Sequence, residues 1–201
     1  MTKVGIFGGS FDPIHYGHVY LAIKAKEELD LDRVIFIPAK LQPFKLDRTP
    51  ADGMMRVEMI EASISHYDGA TVSMYELNKD EISYTYNTLE YFQKELGEDA
   101  KLYFITGTDS LLTLDTWYMA DEMLRKYNFI VGSRPGYKEA ELEAKIAEIT
   151  EKYGCEVIKI HNNQVDVSSS EIRERVKNSQ SLDGLVNPKV ERYINEHGLY
   201  R

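Results

Sequence analysis

Short apolar runs alternate with longer amphipathic segments along most of the chain. Six runs of buried-strand length stop at glycine, proline or polar residues, which predicts strands at residues 3–7, 33–38, 70–75, 101–106, 128–131 and 156–160. The longer segments repeat apolar residues at helical spacing, which predicts helices at residues 17–29, 52–65, 84–96, 116–126, 138–153, 169–177 and 188–196. This alternation is typical of βαβ units.

The predicted fold is therefore an α/β, Rossmann-like, doubly wound parallel sheet with C-terminal helices. We expect the strand order 3-2-1-4-5 and a single domain over residues 1–201, with its C-terminal helical part starting at about residue 168. Residues 40–49 are polar and are predicted to be a long loop.

Composition narrows the classes of function. The chain has 24 basic and 33 acidic residues and a formal charge of -9, which argues against general nucleic-acid binding. Any phosphate site must then be local. Cys155 is the only cysteine, which excludes an intrachain disulfide and a cysteine-based metal cluster. The sequence lacks an apolar run of membrane-span length and its first residues lack the apolar region of a signal peptide, so we expect a cytoplasmic protein without a membrane partner.

The segment GGSFDPIHYGH, residues 8–18, joins the first strand to the first helix, where doubly wound sheets bind ligands. Gly8 and Gly9 allow close approach of a phosphate, and the helix N-terminus offers N–H groups. His15 and His18 are three residues apart, so both imidazoles can point at one ligand. A metal pair, with Asp12 as the nearby third ligand, or two merely polar residues are the alternatives. The glycine turn before the histidines favours phosphate binding.

A second anion site is predicted where residues 167–173 (VSSSEIR) open a late helix. Ser168 and Glu171 have capping-box spacing, Ser169 and Ser170 add hydroxyl groups, and Arg173 lies one turn on. Simple helix capping is the alternative.

Gly107 and Asp109 follow the fourth strand, beside the first-strand loop in the expected order. The Asp109 carboxylate is a candidate acceptor for a ribose hydroxyl. A plain Gly-Thr-Asp turn is the alternative.

These motifs resemble those of the HxGH nucleotidyltransferase superfamily. The pattern Gly8-x-x-Phe11-Asp12-Pro13-x-His15-x-Gly17-His18 looks like its signature, and residues 167–173 are similar to its Ile-Ser-Ser-Thr-x-Ile-Arg motif, with Val and Ser replacing Ile and Thr. The resemblance implies that the histidines hold the ATP phosphates during attack on the α-phosphorus, and that Arg173 and the serines hold the β,γ-phosphates. It implies ATP contacts from Gly8, Gly9, Ser10, Phe11, His15, His18, Gly107, Asp109, Ser169, Ser170, Ile172 and Arg173.

Further segments, at residues 83–89, 117–118, 133–137 and 190–200, resemble bacterial nicotinate-nucleotide adenylyltransferases over nearly the whole chain. The resemblance implies adenylyl transfer from ATP to nicotinate mononucleotide, giving deamido-NAD and pyrophosphate for NAD biosynthesis. It implies that Trp117 stacks on the pyridine ring, that backbone N–H groups near Thr85 and Tyr118 receive the carboxylate, and that Arg134 belongs to the acceptor site. A buried core anchor is the alternative role for Trp117.

The chain departs from that family in one loop and three single positions. The family's Pro-Pro-His-Lys loop reads Gln-Pro-Phe-Lys at residues 42–45, so Phe44 replaces a histidine. Lys79, Glu81 and Asn87 stand where the family usually has Arg, Gly and Asp.

The expected mechanism has no covalent intermediate, because the acceptor phosphate is itself a nucleophile. Catalysis would be positioning and charge stabilisation by His15, His18, Lys45 and Arg173. Mg²⁺ would bridge the phosphates with few or no protein ligands. The rival functions are a phosphopantetheine adenylyltransferase and a non-catalytic ATP sensor, and the sequence leaves a homo-oligomer open.

Overall fold

The computed structural model describes residues 2–40, 50–80, 82–133, 136–161 and 167–201. Its centre is a six-stranded parallel sheet in the order β3-β2-β1-β4-β5-β6. The strands are β1 (Lys3–Gly9), β2 (Arg33–Pro38), β3 (Ala70–Val72), β4 (Lys101–Gly107), β5 (Asn128–Ser133) and β6 (Val157–His161). The helices are α1 (Tyr16–Glu28), α2 (Gly53–Ile64), α3 (Thr85–Leu96), α4 (Thr108–Leu112), α5 (Ala120–Lys126), α6 (Glu139–Tyr153), α7 (Ser169–Lys177) and α8 (Pro188–Glu196), with a 3-10 helix at Leu114–Thr116.

The predicted fold class and strand order are confirmed, and β6 extends the order beyond β5. Two predicted elements were wrong in extent. The third strand stops at Val72 instead of residue 75, because residues 75–78 form a turn closed by the Asn78 N–H donating to the Met74 carbonyl. The helix predicted at 116–126 begins only at Ala120, because Met119 has a left-handed φ of +54° that no helix can contain.

The sheet separates two apolar layers, because successive strand residues point to opposite faces. On β4, Tyr103 and Ile105 face the layer of α1, α2, α7 and α8, whereas Leu102 and Phe104 face the layer of α3 to α6. Gly132 on β5 lets α1 pack closely, since a Cβ there would lie 2.6 Å from a methyl of Leu21. Each large aliphatic side chain buried in these layers contributes about 1.5–3 kcal/mol.

The last helices join the first of these layers. Asn187 caps α8 by accepting from the Lys189 N–H at 2.9 Å, and Pro188 occupies the first helical position, where its missing N–H costs nothing. Val190 and Ile194 of α8 are buried in the same cluster as α1 and α2. No helix among the residues described is long and apolar enough to cross a membrane.

Candidate active site

The predicted ligand loops meet at the carboxyl edge of the sheet. β1 ends at Gly9 and β4 ends at Gly107, and these two strands are hydrogen-bonded neighbours. β5 continues the edge and ends at Ser133. Because the chain winds outward in opposite directions from β1 and β4, their loops border the crevice where such folds bind ligands.

His15 and His18 face each other at the N-terminus of α1. Their ring centroids lie 3.6 Å apart with 21° between the planes, so the prediction that both imidazoles share one face is confirmed. His15 is the N-cap residue, and its Nδ1 accepts from the His18 backbone N–H at 3.4 Å. That bond places the proton of a neutral His15 on Nε2, the nitrogen able to donate to a phosphate oxygen.

Phe11 supports His18 from the core side. Phe11 is 1% exposed, and its ring packs edge-on against two others. Its ring centroid lies 5.1 Å from that of His18 and 5.3 Å from that of Phe7. A Cβ at Gly9 would lie 3.1 Å from the Phe11 ring, and one at Gly8 would lie 3.2 Å from the Phe104 ring. Packing therefore favours glycine at both positions, because a larger residue would need the neighbouring ring to move by a few tenths of an ångström.

Arg56 is an anchor that sequence reasoning missed. Its side chain is 2% exposed and donates to three backbone carbonyls: Ser10 at 2.7 Å, Ala39 at 2.8 Å and Ala51 at 2.9 Å. It thereby ties residues 8–18, called the phosphate loop here after their predicted role, to the chain before and after residues 41–49. The available signal was a charged residue among the apolar positions of α2, since Arg56 is followed by the buried Val57.

The start of α7 lies directly on the phosphate loop. Ser168 caps the helix by accepting from the Glu171 N–H at 3.1 Å, which confirms that half of the predicted capping box. The Ser169 hydroxyl donates to the Pro13 carbonyl at 2.8 Å. Phosphate-loop residues and this helix N-terminus therefore form one surface, although they are far apart in sequence.

Arg173 connects the two motifs. Its guanidinium donates to the Asp12 carbonyl at 2.7 Å and to the Ser170 hydroxyl at 2.9 Å. Burial lowers the pKa of Arg173, but an arginine stays charged in proteins, so this contact adds a cation beside the histidine pair. Ile172 is fully buried and its N–H donates to the Ser168 carbonyl, so any contact of Ile172 with ATP stays a prediction.

Asp109 has partners that the sequence did not suggest. Gly107 is the N-cap of α4, and a Cβ there would meet nothing within 4 Å. The exposed Asp109 carboxylate accepts from the Tyr137 hydroxyl at 3.1 Å and from the Lys138 ammonium at 2.9 Å. A ribose hydroxyl would have to share or replace these donors, so the ribose role of Asp109 stays a prediction.

The predicted acceptor residues lie on the opposite layer from the histidines. Thr85 is the first residue of α3, and its N-cap, Tyr84, makes no side-chain capping bond within the described part of the chain. The Tyr84 and Tyr118 ring centroids are 4.5 Å apart, so the side chains next to the two predicted carboxylate-binding positions are in contact. Tyr118 is 50% exposed.

Trp117 is partly buried and packs edge-on against Phe104 with ring centroids 6.1 Å apart, at the margin of the core layer, so stacking on a pyridine ring stays a prediction beside the core-anchor alternative. Phe104 is also the ring beneath Gly8. One aromatic side chain thus separates the phosphate loop from the predicted stacking residue, and the two halves of the site are neighbours. Lys45, Phe44 and Arg134 lie outside the described residues.

The described residues do not assemble a metal cage: they contain no group of three His, Cys, Asp or Glu placed to hold one ion. Among the described residues the histidine pair is not part of such a cluster, and the metal alternative stays untested. A hard ion such as Mg²⁺ fits this site only with phosphate and water oxygens as its main ligands, which is its usual preference.

Comparison with known proteins gives consistent matches. The model of the cytidylyltransferase-like family matches residues 6–175. A Clostridium botulinum protein named "Probable nicotinate-nucleotide adenylyltransferase" is 40% identical over 201 residues, covering 100% of this chain and 99% of the relative. A Clostridium beijerinckii protein of the same name is 37% identical over 204 residues and is covered completely. The Plasmodium falciparum nicotinic acid mononucleotide adenylyltransferase complexed with NaAD has a TM-score of 0.79 at 21% identity, over 100% of this chain and 98% of that one.

Proposed function

This chain belongs to the cytidylyltransferase-like family and, within it, to the nicotinate-nucleotide adenylyltransferases, and from that membership we propose how it works. It transfers the adenylyl group of ATP to nicotinate mononucleotide, giving deamido-NAD and pyrophosphate. The acceptor phosphate attacks the α-phosphorus in line with the leaving pyrophosphate, so the protein has to position two substrates and offset charge.

The stacked pair His15 and His18 carries this proposal. Two imidazoles with ring centroids 3.6 Å apart lie at a helix N-terminus, so both can donate to the oxygens of the same phosphate groups. Neither ring is fully exposed, so water competes weakly for these donors. In our proposal they hold the α- and β-phosphate oxygens and stabilise the charge that grows there during transfer.

Arg173 stabilises the leaving pyrophosphate. Two of its five N–H donors are used on Asp12 and Ser170, and those bonds fix the direction of the guanidinium. The remaining donors are the ones proposed to bind the β,γ-phosphates. Lys45 is proposed as a second cation for the same charge, together with the serine hydroxyls that open α7.

The acceptor carboxylate is bound at the start of α3. Because Tyr84 does not cap this helix with its side chain, the first N–H groups of α3 and the dipole's positive end can serve an anion beside Tyr118. Trp117 stacks on the pyridine ring, and Arg134, which follows β5 in the sequence, is proposed to contribute to the same site. The amide of nicotinamide carries N–H groups, which would face the N–H groups of the protein and leave donors on both sides without an acceptor. The amide nucleotide is therefore a poor acceptor substrate.

Mg²⁺ neutralises the triphosphate when it is bound. The scarcity of carboxylate clusters in the described residues supports an ion held by the substrates, with His15, His18 and Arg173 holding the same phosphates from the protein side.

The experiment that tests this function is pyrophosphate release from ATP with magnesium and one acceptor at a time. The acceptors are nicotinate mononucleotide, nicotinamide mononucleotide, phosphopantetheine and none. Turnover mainly with the nicotinate acceptor is expected. Turnover mainly with phosphopantetheine would replace the acceptor assignment, and tight ATP binding without turnover would favour an ATP sensor.

A further inference from the structure

Asp12 is a buried carboxylate inside the phosphate loop. It is 1% exposed, and burying a carboxylate is costly unless hydrogen bonds to it replace those lost from water. One of its oxygens, Oδ1, accepts two hydrogen bonds: one from the Ala51 backbone N–H at 3.1 Å and one from the Tyr200 hydroxyl at 2.7 Å. Asp12 therefore joins three parts of the chain that are far apart in sequence.

Tyr200 reaches this oxygen from beyond α8. Its backbone φ is +64°, a left-handed conformation that is uncommon for a residue other than glycine. The residue before Tyr200 is held as well, because the Leu199 N–H donates to the Ile194 carbonyl at 3.0 Å. The surrounding structure thus keeps Tyr200 in an unfavoured backbone conformation in which its hydroxyl reaches the phosphate loop.

The contact of Tyr200 is one of several that end on the same short stretch of loop. Arg173 donates to the Asp12 carbonyl and Ser169 donates to the Pro13 carbonyl. Tyr200 also lies near Arg173, so both side chains meet at Asp12. Of these three residues, Tyr200 bonds to the Asp12 side chain. The same carboxylate oxygen accepts from the Ala51 N–H, which links it to the chain that follows residues 41–49.

We propose that Tyr200 is a positioning residue for ATP, whose hydroxyl holds the phosphate loop in its binding conformation through Asp12. The proposal rests on the proposed function, since it assigns Tyr200 to the ATP half of that reaction. Tyr200 does not touch the reacting atoms. Loss of its hydroxyl leaves a buried carboxylate oxygen with one donor fewer, so the loop spends less time in the conformation that binds phosphate.

The test is Tyr200→Phe, which keeps the ring and removes only the hydroxyl. We expect KM for ATP to rise about three- to tenfold while KM for nicotinate mononucleotide stays within error, because binding weakens in proportion to the fraction of competent loop. The rise in Tm that saturating ATP produces should shrink in parallel, whereas the rise produced by the acceptor should not. The Tm shift is a readout that does not depend on turnover.

Tyr193→Phe is the matched control. Tyr193 lies on α8 with its hydroxyl near the Glu58 carboxylate of α2, so this change also removes a tyrosine hydroxyl beside a carboxylate, but not the one bonded to Asp12. We expect it to lower Tm without changing the KM for either substrate. Equal KM changes in the two variants, or a Tyr200→Phe enzyme with unchanged ATP parameters, would show that Tyr200 is only a stability contact.

Two further outcomes separate the proposals from each other. If the wild-type protein does not turn over while ATP still raises its Tm, the proposed function fails, and the Tm shifts alone decide the role of Tyr200. If Tyr200→Phe does not fold, the decision passes to Asp12→Ala, which removes the carboxylate that accepts from the Tyr200 hydroxyl. A smaller ATP-induced rise in Tm with an unchanged acceptor-induced rise supports the proposal, and unchanged rises for both substrates overturn it.

Discussion

The two halves of the site differ in how much of their structure is in place without substrate. The phosphate loop is held from several directions. Arg56 of α2 and Ser169 and Arg173 of α7 donate to its backbone carbonyls, and Tyr200 beyond α8 donates to its Asp12 side chain. The described part of the acceptor half consists of a helix N-terminus and two aromatic residues. Tyr118 is half exposed, and the Trp117 indole N–H makes only a long bond of 3.4 Å to the Thr113 hydroxyl.

The difference follows from what each half must bind. A triphosphate needs donors fixed at the positions where charge develops, and such preorganised donors act most strongly in a site from which water is excluded. A flat pyridine ring needs a surface to stack on and a small number of N–H groups. ATP binding is therefore expected to weaken when a hydrogen bond that holds the phosphate loop is removed, whereas acceptor binding should depend on a small number of local contacts.

His18→Ala is expected to have the largest effect. Removing one preorganised donor should lower kcat by about 10²–10³ with ATP binding retained, which steady-state kinetics and an ATP titration would measure. His66→Ala, at an exposed histidine whose ring is tilted against Tyr67, is the control and should leave kcat unchanged. An unchanged kcat in His18→Ala would remove His18 from the mechanism.

Arg173→Ala should come next. It removes a cation from the phosphates and the hydrogen bond that Arg173 donates to the Asp12 carbonyl, so KM for ATP should rise and kcat should fall, each by about tenfold. Arg175→Ala is the matched change on α7, because Arg175 bonds to Glu171 at 3.0 Å instead of the loop. If both variants keep the wild-type KM for ATP, Arg173 is only a helix residue.

Trp117→Ala tests the opposite half. The loss of one aromatic stacking partner should raise KM for nicotinate mononucleotide about three- to tenfold and leave KM for ATP unchanged. Tyr118→Phe should behave as wild type, since the proposal uses the backbone of Tyr118 and not its hydroxyl. A change in the ATP parameter of Trp117→Ala would mean that the halves are coupled through Phe104, which lies between them.

The smallest expected effect concerns stability at the acceptor half. Burial raises the pKa of Glu76 above its ordinary value of 4.5, although the Thr88 hydroxyl, which donates to Glu76 Oε1 at 2.6 Å, opposes the rise. The folded state then holds this proton at pH values where the unfolded chain has lost it. The contribution of Glu76 to stability therefore decreases as pH rises from about 4.5 through the folded pKa.

Glu76→Gln cannot lose a proton and should lack this component. The difference in Tm between wild type and Glu76→Gln should shift in favour of the variant as pH increases across that interval, and should be constant on either side of it. A difference that does not vary with pH would mean that Glu76 does not titrate with a raised pKa.

The sheet and most helices were predictable because strands and helices carry their periodicity locally. The two local failures, at Val72 and Ala120, both lie where a turn or a single left-handed residue interrupts an apolar pattern. The histidine pair was predictable for the same reason, since a spacing of three residues already fixes its geometry. Arg56 and Tyr200 were not, because their partners lie 46 and 188 residues away and only the tertiary fold brings them together.

The most direct test of the central claim follows the phosphorus atom that is transferred. The wild-type protein would be incubated with magnesium, nicotinate mononucleotide and ATP labelled at its α-phosphate. The account predicts that the label appears in the deamido dinucleotide, with one pyrophosphate released for each label transferred. Label recovered as free AMP, or left in ATP although ATP and the acceptor both bind, would contradict adenylyl transfer to this acceptor.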